Sequence, residues 1–186
     1  KFDATNQIEW QKQYYNFQNP FTSSLQTMDG GYVVAGGDAI LKLDAIGNIQ
    51  WQKVYEILNT NSQSINAIQQ TSDGGLVVVG NIYIVSQGWK GFAFKLDPFG
   101  NIEWQKFYGA EFLYDIQQTP DGGFITVGNT GDDVGVLKLG AVGNIEWKKA
   151  FDGYDYYDFG SAIATTSDGG YIVAGRAGST TQIDAL

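Results

Sequence analysis

The tripeptide Asp-Gly-Gly recurs four times along the chain, beginning at Asp29, Asp73, Asp121 and Asp168, with spacings of 44, 48 and 47 residues. A repeat of that period constrains the chain to a series of similar supersecondary units, each burying its apolar face against the next. After every copy comes a short β-rich run ending in Gly, at residues 32–36, 76–80, 124–128 and 171–175. A second motif, Lys-Leu-Asp-x-x-Gly-Asn-Ile-x-Trp, alternates with the first. It is clearest at 42–51 and 95–104, recurs at 138–147 with Gly140 in place of Asp, and recurs at 1–10 with Asn6-Gln7 in place of Gly-Asn. Its tryptophans are Trp10, Trp51, Trp104 and Trp147, spaced by 41, 53 and 43.

Each repeat carries four strand signals. In the second repeat they are 65–71, 76–80, 91–96 and 102–107. Asp-Gly and Gly-Asn between β-rich runs are hairpin punctuation, because Gly and Asn tolerate the positive φ that tight turns need. The later strands alternate, as in Ile49/Trp51/Lys53 against Gln50/Gln52, so each has a buried and a wet face. Four antiparallel strands in about 46 residues, four times over, predict an all-β chain: one domain over 1–186, folded as a β-propeller of four four-stranded blades. A sandwich does not require a fourfold period, and a β-helix requires a shorter one. Residues 1–3 match 42–44 and residues 184–186 match 38–40. The pattern therefore predicts a closed ring whose N- and C-terminal strands share the last blade and hide its edges. A stretch cut from a longer array is the alternative, and the first residue, Lys rather than Met, fits processing or excision.

The stretches 68–75 (Ile-Gln-Gln-Thr-Ser-Asp-Gly-Gly) and 95–106 (Lys-Leu-Asp-Pro-Phe-Gly-Asn-Ile-Glu-Trp-Gln-Lys) resemble a known β-propeller repeat of secreted and surface proteins of bacteria and archaea. That repeat has the form DGGYIVAG … KLDxxGNIxWQKTYGG, and the resemblance covers essentially the whole chain. It implies a propeller and an exported protein, and it implies little about activity. A more distant similarity is to quinoprotein propellers, whose quinone site does not carry over because the vicinal cysteines are absent. The departures are Gly140, Asn6-Gln7, and 23–29, where the inner-strand pattern slips by a residue.

Composition narrows the chemistry. There is no His and no Cys, which excludes zinc fingers, His- or Cys-ligated haem, iron–sulfur clusters, Ser-His-Asp triads and Cys nucleophiles. A net charge of −9 disfavours nucleic acid and anionic membranes as partners. No apolar run approaches the ~20 residues that span a bilayer. Fifteen Gln and eleven Asn outnumber the twenty acidic residues, a surface that points to an extracellular or cell-surface location.

The repeating residues read as structure. Asp29, Asp73, Asp121 and Asp168 open turns, where a carboxylate accepts backbone N–H groups. Trp10, Trp51, Trp104 and Trp147 recur at one strand position and are expected to pack between blades. Glu9, Glu103 and Glu146 share the slot before Trp, which reads as the wet face of an outer strand. Residues that break the repeat are the candidates for contact. Trp89 lies between glycines in the long connection 80–91 and reads as an exposed loop aromatic. Tyr154, Tyr156 and Tyr157 form the densest aromatic cluster, interleaved with Asp152, Asp155 and Asp158, whose spacing raises Ca²⁺ as a ligand without matching an EF-hand. No cofactor is otherwise implied, and no unique carboxylate pair suggests glycoside chemistry.

These readings predict a non-catalytic extracellular propeller, a binding or structural module of a microbial surface or filament protein. Its partners are another surface protein or further copies of itself. A carbohydrate-binding, lectin-like propeller is the alternative, and a polysaccharide-active enzyme the third.

Overall fold

The computed structural model describes residues 1–15, 19–57, 62–109, 111–152 and 158–176. Among them the chain is all-β, with fourteen strands and no helix. Strands β1 (Ser23–Gln26), β2 (Tyr32–Gly36), β3 (Ala39–Leu43) and β4 (Ile49–Val54) pair antiparallel in that order as sheet 1. Sheet 2 repeats this with β5 (Gln63–Gln70), β6 (Leu76–Ile84), β7 (Gly88–Leu96) and β8 (Ile102–Tyr108). Sheet 3 repeats it with β9 (Glu111–Gln118), β10 (Phe124–Thr130), β11 (Asp133–Leu139) and β12 (Ile145–Phe151). Sheet 4 has two strands among the described residues, β13 (Phe159–Thr165) and β14 (Tyr171–Arg176), where the period predicts four. The residues that carry the outer-strand motif for a fourth copy, 1–10, fold as a separate hairpin bridged at Phe2–Ile8. That hairpin lies against sheet 1: Trp10 meets Tyr32 edge-on at 5.7 Å.

Local chemistry sets the turns. In each first hairpin the unit is Thr-x-Asp-Gly-Gly. Thr27 N–H donates to Gly31 O at 2.9 Å and Gly30 N–H to Thr27 O at 2.8 Å, and the same pair of bonds recurs at Thr71, Thr119 and Thr166. The two glycines do different jobs. Gly30, Gly74, Gly122 and Gly169 have φ of 80°, 84°, 82° and 85°, the left-handed conformation that closes the turn. At Gly31, Gly75 and Gly123 the constraint is space: an added Cβ would lie 2.3, 2.2 and 2.4 Å from the carbonyl oxygens of Leu43, Leu96 and Leu139 at the end of the third strand. In the outer hairpins Asp44 Oδ1 accepts Ile46 N–H and Asn48 N–H at 3.0 and 2.8 Å, and Asp97 does the same for Phe99 and Asn101. Gly140 keeps the backbone bonds of this turn without a carboxylate. Asn6, at φ 63°, stands where the other copies have Gly.

The sheets pack face to face in series. Val33, Ala35 and Ile40 of sheet 1 meet one face of sheet 2, with Val78, Phe92 and Phe94. The opposite face of sheet 2, with Val77, Val79 and Ala93, meets Leu113, Phe124 and Leu137 of sheet 3. The far face of sheet 3, with Ile125, Val127 and Val136, meets Ile163 of sheet 4. Both faces of β6 are therefore covered, which explains its unbroken apolar run Leu76–Val79. The first strands are neighbours: β5 lies against β1 and β9, and β13 against β9. By contrast β14 is largely exposed, with Ile172 at 60%.

Candidate functional site

Three of the four Asp-Gly-Gly carboxylates are held in ionic clips. Each lysine of the Lys-Leu motif is buried and reaches the Asp of the preceding Asp-Gly-Gly turn: Lys42 to Asp29 at 2.8 Å, Lys95 to Asp73 at 2.6 Å and Lys138 to Asp121 at 2.9 Å. The Asp also accepts its Thr hydroxyl, two residues back, and the N–H of the second Gly. Lys42 and these donors hold the Asp29 carboxyl at about 2. For Asp73 burial opposes ionisation, but the Lys95 and Thr71 bonds prevail and bring it to about 2. Asp121 is lowered by Thr119 and Lys138. Asp168 is lowered by Thr166 and Gly170 alone, and no lysine reaches it.

The glutamates before Trp join the same clips. The register shifts between Lys42 and Leu43, Lys95 and Leu96, and Lys138 and Leu139 leave Gln50, Glu103 and Glu146 as extra residues on the outer strand. Such a bulge re-aims a side chain. Here it turns Glu103 onto Lys95 and Glu146 onto Lys138. Glu9, Glu103 and Glu146 are exposed, on the wet face that the sequence suggests, and they reach the lysines from there. Lys1 pairs with Glu9 in the corresponding way.

The tryptophans lie against the next outer turn. An added Cβ on Gly47, Gly100 or Gly143 would meet Trp10, Trp51 or Trp104 at 2.8, 3.1 and 2.6 Å. Four residues after each Trp, a tyrosine hydroxyl donates to the same glycine's carbonyl: Tyr14 to Gly47 at 2.9 Å, Tyr55 to Gly100 at 2.9 Å and Tyr108 to Gly143 at 2.8 Å. Lys12 and Lys53 add bonds to Asn48 and Asn101 of those turns. Trp147 meets Tyr171 at 6.2 Å, and Phe151 stands where the tyrosine would be, 49% exposed.

A cleft of about 620 Å³ opens where the first strands meet, walled by Gln69, Gln70, Gln117 and Gln118 with Asp115, Ile68 and Met28. These amides bind one another and the turns. Gln69 Nε2 donates to Gln117 Oε1 at 2.9 Å, while Gln70 and Gln118 accept the N–H of Met28 and Ser72 in the preceding sheet, each at 2.8 Å. The Asp115 carboxyl is raised by burial, although it accepts Ile163 N–H and Ile116 N–H.

The feature that breaks the repeat is an aromatic row. Trp89 is 45% exposed, and it lies on β7, paired with Tyr83 on β6, rather than in a loop as the sequence suggests. The β6–β7 hairpin runs four residues further than its strand signal, to a turn at 84–88 where Gly88 has φ 77°. Trp89 meets Tyr83 at 5.6 Å and, across the sheet boundary, Phe112 at 5.8 Å. Phe112 stacks on Tyr114 at 6.5 Å and 10°, and Tyr114 meets Phe159 edge-on at 6.0 Å. One row thus joins sheets 2, 3 and 4. Tyr154, Tyr156, Tyr157 and Asp155 lie outside the described residues. Of the other acids considered for Ca²⁺, Asp152 is exposed and Asp158 is buried at 3%. Among the described residues no group of three acidic side chains is placed to hold a metal.

No protein-family profile matches the chain, and no curated protein does. Among solved structures it is similar to a protein of unknown function from Bacteroides caccae, determined at 1.35 Å resolution, with a TM-score of 0.64 and 12% identity. The likeness covers 98% of this chain and 65% of that one, so this chain spans just under two thirds of its length. At that identity the likeness concerns the fold alone.

Proposed function

We propose that the four sheets are consecutive blades of a β-propeller, and that the chain is a non-catalytic binding or structural module exported to a microbial surface. The supporting observation is the repeated contact between neighbours. A Trp on the next Gly-Asn turn and a Tyr hydroxyl on that turn's carbonyl are placed alike from the 1–10 hairpin to sheet 1, from sheet 1 to sheet 2 and from sheet 2 to sheet 3. A contact applied at a constant step, with the first strands together, turns a series of sheets about an axis. Three of the four repeat tryptophans take part in these contacts, and most repeat carboxylates in ionic clips within a sheet, which leaves the chemistry of recognition to the residues that vary.

Carbohydrate binding is the reading favoured by the row Tyr83–Trp89–Phe112–Tyr114. Aromatic rings with one face open bury a sugar's C–H surface, while amides and hydroxyls around them orient its hydroxyls. A glycan array tests it: a reproducible hit lost in Trp89→Ala supports a lectin-like site, and an empty array directs attention to protein partners. Turnover on a polysaccharide panel would contradict the non-catalytic assignment.

A further inference from the structure

Sheet 4 and the 1–10 hairpin carry complementary parts of the repeat: the first two strands and the outer-strand motif. Asp168 has every turn partner that Asp29, Asp73 and Asp121 have except the lysine. All eleven Lys and Arg of the chain lie among the described residues, as does Asp168, and none of them pairs with it. Lys1 has the glutamate that Lys95 and Lys138 have, and lacks the turn Asp. An added Cβ on Gly170 would meet only its own turn, Thr166 Oγ1 at 3.0 Å and Asp168 Oδ1 at 3.3 Å, where Gly31, Gly75 and Gly123 are pressed by the carbonyl of a third strand. The 1–10 hairpin nevertheless holds the turn geometry of the complete outer hairpins: Asp3 N–H donates to Gln7 O at 2.9 Å and Asn6 N–H to Asp3 O at 3.1 Å.

A third contact points the same way. The turn N–H groups of Met28 and Ser72 are capped by a glutamine of the following sheet. Ser167 holds that position in sheet 4, and Gln26, the counterpart of Gln70 and Gln118, is exposed on sheet 1. A chain's own hairpin is engaged by its own sheet 1, through Trp10, Tyr14 and Lys12. Hairpin and sheet 1 therefore travel together as one docking surface.

We infer that the edge of β14, which no described strand pairs with, receives the 1–10 hairpin of a second copy of this chain, which supplies the third and fourth strands of sheet 4 and a lysine for Asp168. The inference rests on the repeated-sheet reading above. By the register of sheet 1, where Tyr32 pairs with Leu43 and Val33 with Lys42, Phe2 pairs with Tyr171 and Lys1 with Ile172 of the receiving copy. The arriving Asn6 turn lies under Trp147, and the arriving Gln26 caps Ser167. Main-chain pairing supplies the affinity and the ionic clip the register.

The chain contains no cysteine, so the register can be tested by cross-linking. Phe2→Cys/Tyr171→Cys, oxidised at micromolar concentration, is expected to give covalent dimers and longer species on a non-reducing gel. Asp168→Lys and Lys1→Asp are each expected to weaken self-association at least tenfold by light scattering, and mixing the two variants to restore it. Oxidation that yields only an internally bridged monomer would show the hairpin closing on its own chain and overturn the inference, as would cross-links or association indifferent to both charge changes. Circular dichroism on each variant separates lost association from lost folding. The coupling between Gly143 and Trp104 developed below reads the sheet 2–sheet 3 contact independently. Its survival alongside failed cross-linking would refute the assembly alone.

Discussion

Gly143→Ala and Gly122→Ala form a matched pair that isolates the contact between neighbouring sheets. Both glycines have positive φ, 75° and 82°. Holding Ala there costs about 1–2 kcal/mol, offset by about 0.4–1 kcal/mol from the stiffer unfolded chain. At Gly122 nothing lies within 4 Å of the new Cβ, so the net cost is about 1 kcal/mol. At Gly143 the Cβ would lie 2.6 Å from Trp104 Cζ3 and 2.9 Å from Cε3. Carbon atoms rest at ~3.5–4.0 Å, so the indole must retreat by about 1 Å. That retreat strains the bond from Trp104 Nε1 to Ala141 O, now 3.0 Å, and the contact with Phe124 at 5.8 Å. Overpacking of this kind adds about 1–3 kcal/mol, for a total of about 2–4. Urea denaturation of the two variants, and of each combined with Trp104→Ala, reads the difference. In the Trp104→Ala background the cost of Gly143→Ala should fall to that of Gly122→Ala. Equal midpoints for the two single variants, or strict additivity with Trp104→Ala, would refute the packing argument.

The remaining predictions use other parts of the same contact. Tyr108→Phe removes the buried bond to Gly143 O and should cost about 1 kcal/mol in the same assay; because burial raises the Tyr55 and Tyr108 phenols, both should stay protonated in alkaline difference spectra until the fold opens. The Asp29 and Asp73 carboxyls titrate at about 2 in the folded chain against an ordinary 3.8, so the stability they contribute is complete above pH 4 and is lost as pH falls from 3.8 through 2. Urea midpoints should decline across that window, and the decline should flatten in Asp29→Asn/Asp73→Asn. Trp89→Ala should cost under about 1 kcal/mol, against about 3 for Trp104→Ala, and should remove the fluorescence most accessible to acrylamide.

Much of the fold was legible because its punctuation is local. A Thr-x-Asp-Gly-Gly or Gly-Asn turn is specified by residues adjacent in sequence, and the strand signals of the second repeat fall within β5, β6, β7 and β8 to within a few residues. The ionic clips were not legible. Lys95 and Asp73 are 22 residues apart, each sits in a motif that makes sense alone, and only a bulge brings Glu103 to the same ammonium. Trp89 stands out by breaking the repeat, but its setting does not, because Gly88, which reads as a loop residue, is the turn of a lengthened hairpin. Its partners Phe112 and Tyr114 belong to another sheet, so no single stretch of sequence reveals the row. Phe112 and Tyr114 are themselves signalled only as aromatics at the start of an inner strand.

Sheets that are blades of a propeller turn about an axis at a constant step. Ile46, Phe99 and Val142 precede the glycine of three equivalent outer turns and are 63%, 73% and 58% exposed, which suits them for spin labels. Pairwise distances by electron–electron double resonance are predicted to be equal for 46–99 and 99–142, with 46–142 clearly shorter than their sum, the chord of an arc. A 46–142 distance equal to the sum would place the sheets in a straight stack and contradict the propeller.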